Sequence, residues 1–491
     1  MKLRYITIVL VALLFSSCNK FLDIRPTGMI IARTGEDYRA LLTDKYSLVP
    51  SDRSLTDLRT NDVKIDFSKS TNSSDYKKWY LDLWTWTDFN RDELSKYFDW
   101  QGYYEISYIA NYIIEHKNEI EEASAAEINQ LVGESYMLRA YMHFLLVNLY
   151  APAYTKCTPS ITKGIPLQLR ADIRDVLRCS SVAQVYNQIM QDIDAAEGYM
   201  TKEKWEKGYT YRFSKVTANA LRARVALYMG NWQLAYTEAQ KVIAKYPDLE
   251  DLNTSSVKPY DYESVESILA LEKEVVDFPI NNEKKGFVWL SDDLIETFGF
   301  DLSSLNEAKR RAEYLDLRLL DGDLMTKPTD RGPQLKGKYY VYDTGNKLFY
   351  LNPLGRDLNK YRCTFRAAEF YLIASEAANE LDNSADAKQY LKDLMIKRFK
   401  SESYERKATL IDAMDKDALR TEILNERRRE FALQGHTWFD LRRTTQPKIE
   451  KVYTENGEVQ TYTLEANDDR YTLRLPSEAV AANPELEIWS Y

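Results

Sequence analysis

The sequence predicts a mainly α-helical fold, a tetratricopeptide-like helical-repeat scaffold with long irregular loop insertions and a few short β-hairpins. Two segments, 213–249 and 365–399, support this prediction, because each reads as two helices joined by a tight turn. In the first segment small alanines allow close helix approach, and Pro247 ends the unit. One such pair cannot bury its own apolar face, so several pairs must stack to form a core.

The N-terminus predicts export and lipid attachment. A basic start is followed by the apolar run ITIVLVALLF, and two small residues, Ser16 and Ser17, stand directly before Cys18. The run is too short to span a bilayer, so residues 1–17 are predicted to be a cleaved signal peptide. Small residues before a cysteine resemble a bacterial lipobox, and two or three acyl chains on Cys18 would anchor the mature chain. The alternative is an ordinary signal peptide in which the cysteine occurs by chance.

The mature chain, residues 18–491, is predicted to form a single domain. A helix over 133–150 has its partner over 181–200, and the loop between them is rich in proline. With the 213–249 pair, these helices extend the first repeat region over about 127–249.

An insertion over about 250–363 interrupts the repeats. It is rich in Pro, Gly, Asp and Tyr, and short alternating runs such as KYYVYD predict a few strands there. The repeats resume over about 364–443, where a last helix is expected over 417–434. The irregular C-terminal segment, 444–491, contains two alternating runs around an Asn-Gly turn, which predicts a β-hairpin.

Charge and composition argue against several functions. The formal net charge of −9 discourages binding to nucleic acid or to an anionic surface. The three histidines share no metal-ligand spacing, and G-x-S-x-G, the Walker loop, G-x-G-x-x-G and H-E-x-x-H motifs are missing. We therefore expect no enzyme activity, no cofactor and no metal site. Three cysteines remain beside Cys18, namely Cys157, Cys179 and Cys363. Two alternatives are open for them: Cys157 and Cys179 form a disulfide, or all three are free thiols.

Residues 423–443, ILNERRREFALQGHTWFDLRR, combine three consecutive arginines with glutamates, a histidine and an aspartate. On a helix, Glu426 can pair with Arg429 and Glu430 with Arg427 at three-residue spacing. A nucleic-acid patch would need uncompensated basic residues, and a hydrolytic site would need a nucleophile or a metal, neither of which is visible. The arginines are therefore predicted to stabilise the fold.

The same stretch resembles the C-terminal signature of the SusD/RagB family of Bacteroidetes outer-membrane lipoproteins, roughly N-E-R-x-x-E-x-x-x-E-G-x-R-x-x-D-L-x-R. Further matches in family order are CNKFLDIRP, LRAYMHFLLVNLYAPAY, RFSKVTANALRARVALYMGNW, FRAAEFYLIASEAANE and LPSEAVAANPEL, which together span essentially the whole mature chain. Two residues depart from the signature. Gln434 stands where the family has glutamate, and Thr437 stands where it often has arginine. Neutral hydrogen bonds are expected to replace one charge pair there.

The resemblance implies a lipoprotein of the cell outer membrane, facing the cell surface, that binds a nutrient and closes on a partner SusC-like TonB-dependent transporter. Many relatives bind oligosaccharides, which makes an oligosaccharide the expected ligand, and a peptide is the alternative. A lipid-anchored glycoside hydrolase is a further alternative, because carboxylates about 5 to 10 Å apart could be hidden among the many acidic residues. The last alternative is a purely structural scaffold that holds another protein in its repeat grooves.

Candidate ligand contacts are expected where aromatic and polar residues mix. The run DYKKWYLDLWTWTDFN, residues 75–90, lacks a clean helical stripe and places flat rings beside Lys, Asp and Asn, as a sugar platform needs. The predicted ligand-binding residues are Trp79, Trp84 and Trp86 as the platform, Asn90 and Arg91 as donors, and Trp289 across the site. The tyrosines of GKYYVYD are second candidates. The alternative is that the tryptophans only pack this segment onto the repeats.

Overall fold

Helices dominate the described parts of the chain, as the sequence predicts. The computed structural model describes residues 32–65, 73–87, 98–272, 288–298, 316–318, 334–336, 340–343, 348–351, 364–455 and 457–486. Five residues that carry predicted roles, Cys18, Asn90, Arg91, Tyr339 and Cys363, lie outside these ranges.

Helices occupy every segment for which the sequence predicts one. They are α1 (Gly35–Ser47), α2 (Ser73–Thr85), α3 (Trp100–Glu115), α4 (Ala125–Tyr150), α5 (Val182–Tyr199), α6 (Lys215–Met229), α7 (Trp232–Lys245), α8 (Asp292–Thr297), α9 (Ala367–Glu380), α10 (Ser384–Met395), α11 (Ser401–Ala413), α12 (Lys416–Phe431), α13 (Thr437–Arg443) and α14 (Ser477–Ala482). Arg53–Arg59 form a 3-10 helix between α1 and α2.

The strands are short and pair antiparallel. They are β1 (Val63–Ile65), β2 (Lys163–Pro166), β3 (Cys179–Ser181), β4 (Ser267–Leu269), β5 (Val288–Leu290), β6 (Gln334–Lys336), β7 (Tyr340–Asp343), β8 (Leu348–Leu351), β9 (Phe365–Arg366), β10 (Ile449–Glu455) and β11 (Glu458–Leu464). The pairs are β1–β5, β2–β3, β4–β9 and β10–β11, and β6–β7–β8 form a three-stranded sheet. The expected strand in KYYVYD and the expected C-terminal hairpin are therefore both present.

The turns within the repeat pairs have the capping chemistry that their sequences predict. Gly230 ends α6 in the left-handed conformation with φ of 70°, and the Asn231 side chain accepts a hydrogen bond from the main chain of Leu234 to begin α7. In the second pair, Asp382 has φ of 61° and the Asn383 side chain caps α10. Each turn therefore reverses the chain within two residues and places consecutive helices side by side.

The helices pack in series, α3 on α4, α4 on α5, α5 on α6 and α6 on α7, after which α7 packs on α9 and α9 on α10 and α12. Ala220, Ala223, Ala235 and Ala239 are fully buried where α6 meets α7, so small side chains allow these helices to approach closely. The contact between α7 and α9 continues the stack across the insertion. The assignment of the whole mature chain to one domain stays a prediction.

The described chain begins beside the loop that follows α3. The main-chain N–H of Gly35 donates to the carbonyl of Glu121 at 2.9 Å, and the N–H of Glu121 donates to the carbonyl of Arg33 at 2.8 Å. A Cβ on Gly35 would lie 2.5 Å from the Cβ of Ala123, so this close approach requires glycine. Among the described helices, none is both long enough and apolar enough to cross a bilayer.

Candidate ligand-binding site

Residues 75–87 of the run predicted as a sugar platform form most of α2 and the turn that follows it. Trp84 and Trp86 are only 3% and 0% exposed. The indole N–H of Trp84 donates to the carbonyl of Val63 at 3.3 Å, and that of Trp86 donates to the carbonyl of Arg59 at 2.8 Å. This corrects the expectation that the two rings present a face to ligand, because the main chain satisfies their polar edges and the core covers the rest.

Lys451, on β10, lies between these two indoles. Its ammonium group donates to the carbonyls of Leu58 at 2.6 Å and Trp84 at 2.9 Å, and it lies 5.1 and 4.3 Å from the ring centroids of Trp84 and Trp86. Burial lowers the pKa of Lys451 well below its ordinary value, and the positive charge of Arg59 lowers it further. The C-terminal hairpin is therefore joined to α2 and to the 3-10 helix through one buried amine.

Strand pairing brings the main chain at one other predicted contact, Trp289, into the same region. Val63, whose carbonyl accepts the Trp84 indole N–H, pairs with Leu290, and Lys64 pairs with Trp289. The main chain at Trp289 therefore lies one strand away from the end of α2, the helix that also contains Trp79. The structure thus places distant parts of the predicted site close together, while the ligand-binding role of these residues stays a prediction.

The three consecutive arginines lie near the end of α12, and the structure corrects one of their expected pairings. Arg427 pairs with Asp440 on α13, with nitrogen–oxygen distances of 3.0 and 3.2 Å, instead of with Glu430. Arg429 pairs with Glu426 at 2.8 Å, as the three-residue spacing predicts. Arg427 differs because the chain turns after α12 and returns α13 against it, which supplies a closer carboxylate.

Glu430 instead lies at the centre of a buried ionic cluster. Its carboxylate accepts from Arg318 at 2.7 Å, from Arg366 at 2.5 Å and from Arg398 at 2.8 Å. Burial alone would raise the pKa of Glu430, but the three guanidiniums lower it well below the usual range. Since Arg318 belongs to the insertion, this cluster holds the insertion against the repeat scaffold.

The corner after α12 accounts for Gln434, one of the two departures from the family signature, whereas the buried hydroxyl of Thr437 has no hydrogen-bond partner among the described residues. Gln434 donates to the carbonyl of Glu430 at 3.1 Å and accepts from Arg366 at 3.4 Å, so a neutral amide replaces a carboxylate there. Gly435 has φ of 71°, and its N–H donates to the buried carboxylate of Asp57 at 2.7 Å. Gly435 therefore adopts the left-handed conformation that ends the helix region, and its contacts are structural.

Cys157 and Cys179 are free thiols in the structure, which answers the open question of a disulfide between them. Within the described ranges, no group of three or more His, Cys, Asp or Glu side chains is arranged to hold a metal ion.

Comparisons with known proteins agree with this architecture. A family model described as "Starch-binding associating with outer membrane" matches residues 20–227, and a model described as "SusD family" matches residues 330–487. Two similar relatives from Formosa agariphila are SusD-like protein P38, 23% identical over 98% of this chain and 97% of the relative, and SusD-like protein P25, 24% identical over 99% and 98%.

Solved structures share the fold over nearly the whole chain. A SusD superfamily protein from Bacteroides fragilis aligns with a TM-score of 0.68 at 20% identity, covering 93% of this chain and 99% of that one. A protein described as a laminarin-binding SusD-like protein aligns with a TM-score of 0.57 at 20% identity, covering 84% and 92%. Both family models, the relatives and the shared fold lead to one conclusion: the chain belongs to the SusD/RagB family.

Proposed function

We propose that the protein is a surface-exposed outer-membrane lipoprotein that binds an oligosaccharide and delivers it to a partner SusC-like TonB-dependent transporter. Proteins of the SusD family are carbohydrate-binding and associated with the outer membrane. The observation that carries the proposal is the pair of family matches, one before the insertion and one that begins within it at residue 330. The similar fold of a laminarin-binding protein supports a glucan as the first ligand to test.

Lipid attachment at Cys18 is part of the same proposal. The apolar run that ends in two serines before Cys18 supports it, and the first family match begins at residue 20, just after that cysteine. Acylation there would hold a mature chain at the outer membrane without a membrane-spanning segment.

The proposed ligand site lies around α2 and the β1–β5 pair. Trp79, Asn90, Arg91 and Trp289 are the proposed contacts, and the packed indoles of Trp84 and Trp86 hold the end of α2 against the main chain of Val63 and Arg59. The closeness of β5 to the end of α2 supports this grouping, because it joins two segments that are far apart in the sequence.

Binding and turnover of glycans test the function. The mature protein is titrated with laminarin and with starch in a calorimeter, and product release is followed on the same samples. Binding without turnover is the expected result, whereas turnover would favour the glycoside hydrolase alternative. Copurification of a SusC-like protein from solubilised outer membranes tests the transport partner, and its absence from a ligand-binding preparation would contradict delivery.

Single substitutions test the site. Trp79→Ala and Trp289→Ala are expected to weaken glycan binding, and Trp232→Ala, which changes a half-buried tryptophan on α7, serves as the control. Trp84→Ala and Trp86→Ala should lower stability, since removing a buried tryptophan costs about 3–5 kcal/mol. If all four site variants fold and bind as tightly as the parent, the ligand site lies elsewhere.

A further inference from the structure

The loop between α5 and α6 carries a row of three aromatic rings. The ring centroids of Trp205 and Tyr209 are 6.1 Å apart, and those of Tyr209 and Tyr211 are 6.5 Å apart, with interplanar angles of 37° and 32°. Tyr209 is 46% exposed, more than any other aromatic side chain that the structure describes. A tyrosine left open to solvent beside two neighbouring rings offers an apolar surface of the kind that a sugar ring covers.

A cavity opens beside this row. Its volume is about 480 Å³, which falls in the range of small-ligand sites, and it lies between the loop and the N-terminal parts of α1 and α4. The charged and aromatic side chains that line it are those of Glu36, Arg39, Glu122, Glu127, Lys202, Trp205 and Arg212. An aromatic face and several polar side chains therefore meet in one concave space.

The side chains at the base of the cavity are held in place by a buried carboxylate. Glu134 accepts two hydrogen bonds from Arg39, at 2.8 and 3.1 Å, and two from Arg212, at 2.8 and 3.3 Å. The guanidinium of Arg212 also lies 3.8 Å from the Trp205 ring centroid, and the Trp205 indole N–H donates to the carbonyl of Phe213 at 2.8 Å. Trp205 and both arginines are therefore positioned before any ligand arrives, which reduces the entropy lost on binding.

The charges around the cavity favour an uncharged ligand. Three cations, Arg39, Lys202 and Arg212, stand against four carboxylates, those of Glu36, Glu122 and Glu127 at the lining and the buried Glu134. Such a set, with one negative charge in excess, provides donors and acceptors for hydroxyl groups but gives no strong attraction for an anion.

We propose that this loop and cavity form a second carbohydrate subsite, in which a pyranose ring of a neutral oligosaccharide stacks on Tyr209 and the adjoining sugar enters the cavity beside Trp205. The subsite rests on the proposed function of carbohydrate binding. It is built by α1, α4 and the α5–α6 loop, none of which contains the contacts proposed around α2 and β5.

The test combines affinity with amide hydrogen exchange on the mature protein, using laminarihexaose and maltohexaose as probes. We expect a bound probe to slow exchange across residues 201–213. Tyr209→Ala should remove that protection and weaken binding about tenfold, because a stacked sugar ring loses its apolar surface. Tyr209 is exposed and can be replaced without opening the core. Tyr462→Ala, a half-buried tyrosine on β11, is the matched control and should change neither measurement.

The outcomes separate the subsite from the general function. If the parent binds a probe but exchange across 201–213 is unchanged and Tyr209→Ala binds as tightly, the subsite is wrong and carbohydrate binding stands. If the parent binds neither probe, nor any other neutral glycan, carbohydrate binding and the subsite both fail. Binding at this loop that is confined to uronic-acid oligosaccharides would overturn the neutral assignment.

Discussion

The ammonium group of Lys451 lies 4.3 Å from the centroid of the Trp86 ring, and both side chains are buried. Trp86 has φ of 57°, a conformation that bulky residues rarely adopt. The hydrogen bonds of Lys451 end on two main-chain carbonyls, one of which belongs to Trp84. The turn after α2 is therefore shaped by a buried amine from the far end of the chain.

Replacing Lys451 should change how stability depends on pH. Because the folded protein holds the pKa of Lys451 below its unfolded value, the unfolded chain binds a proton more readily, and stability rises as the pH approaches about 10.4. Lys451→Met should remove this rise and leave two carbonyls unpaired, at about 1–3 kcal/mol each. Denaturation at pH 7.5 and 9.5 measures both effects. Lys448→Met, at an exposed lysine, is the control, and an unchanged pH slope in Lys451→Met would contradict the argument.

Arg427→Ala should destabilise the fold without affecting ligand binding. The substitution leaves the buried carboxylate of Asp440 with one guanidinium fewer, at a cost of about 3 kcal/mol. Arg420→Ala provides the control, because Arg420 makes part-exposed ion pairs at the start of the same helix and such pairs contribute about 0–1 kcal/mol. Urea denaturation and glycan titration are measured together. A stable Arg427→Ala protein that had lost binding would reverse the assignment.

Glu430→Gln should be among the more damaging single-atom changes in the repeat region. It removes the charge shared by Arg318, Arg366 and Arg398, and breaking a buried ion pair costs about 3–5 kcal/mol. The pKa of Glu430 is lowered in the folded state, so its contribution is present above about pH 4.3 and is lost as the pH falls further. The variant should therefore lose less stability in acid than the parent. Glu458→Gln, at an exposed residue of β11, should match the parent.

Asp52 should make stability depend on pH in the opposite direction from Glu430. Burial raises its pKa to about 7, although hydrogen bonds from the Tyr103 hydroxyl and the Asp99 N–H oppose that shift. The folded protein then binds a proton more readily than the unfolded chain, so this contribution to stability falls as the pH rises from about 4 to 7. Asp52→Asn should flatten that part of the profile, and Asp44→Asn, at an exposed residue, should not. Equal slopes in the parent and Asp52→Asn would refute the shift.

Cys18→Ala should release the protein from membranes. Without the thiol no acyl chain can be attached, and the mature chain would depend on protein contacts alone to remain at the outer membrane. Membrane fractionation and lipid labelling are the measurements, with Cys157→Ala as the control thiol. Unchanged retention together with unchanged labelling in Cys18→Ala would exclude this attachment site.

Local patterns account for the parts of the fold that the sequence could predict. The Gly230–Asn231 turn and the apolar spacing of α6 and α7 lie within a few residues of one another, so their structure is encoded in adjacent sequence. The pairing of Arg429 with Glu426 could be predicted for the same reason.

Partners that come from distant parts of the chain could not be predicted. Arg318 is 112 residues from Glu430, and Lys451 is 367 residues from Trp84, so no local spacing indicates either contact. The burial of Trp84 and Trp86 follows in part from the second of these contacts, because Lys451 packs beside both indoles. The row from Trp205 to Tyr211 does have a sequence signal, a cluster of aromatic and charged residues outside any helical pattern, similar to the run at 75–90 that predicts a sugar platform.

The reciprocal hydrogen bonds between Glu121 and the chain at Arg33 and Gly35 also have a mechanical consequence. A force applied to the chain on the N-terminal side of Arg33 reaches these bonds before it reaches helix α1. A pull there loads both bonds together and passes the force to the segment between α3 and α4. Helix α1 would carry tension only after both bonds had broken, so a force from that side does not unwind the first helix while the bonds hold.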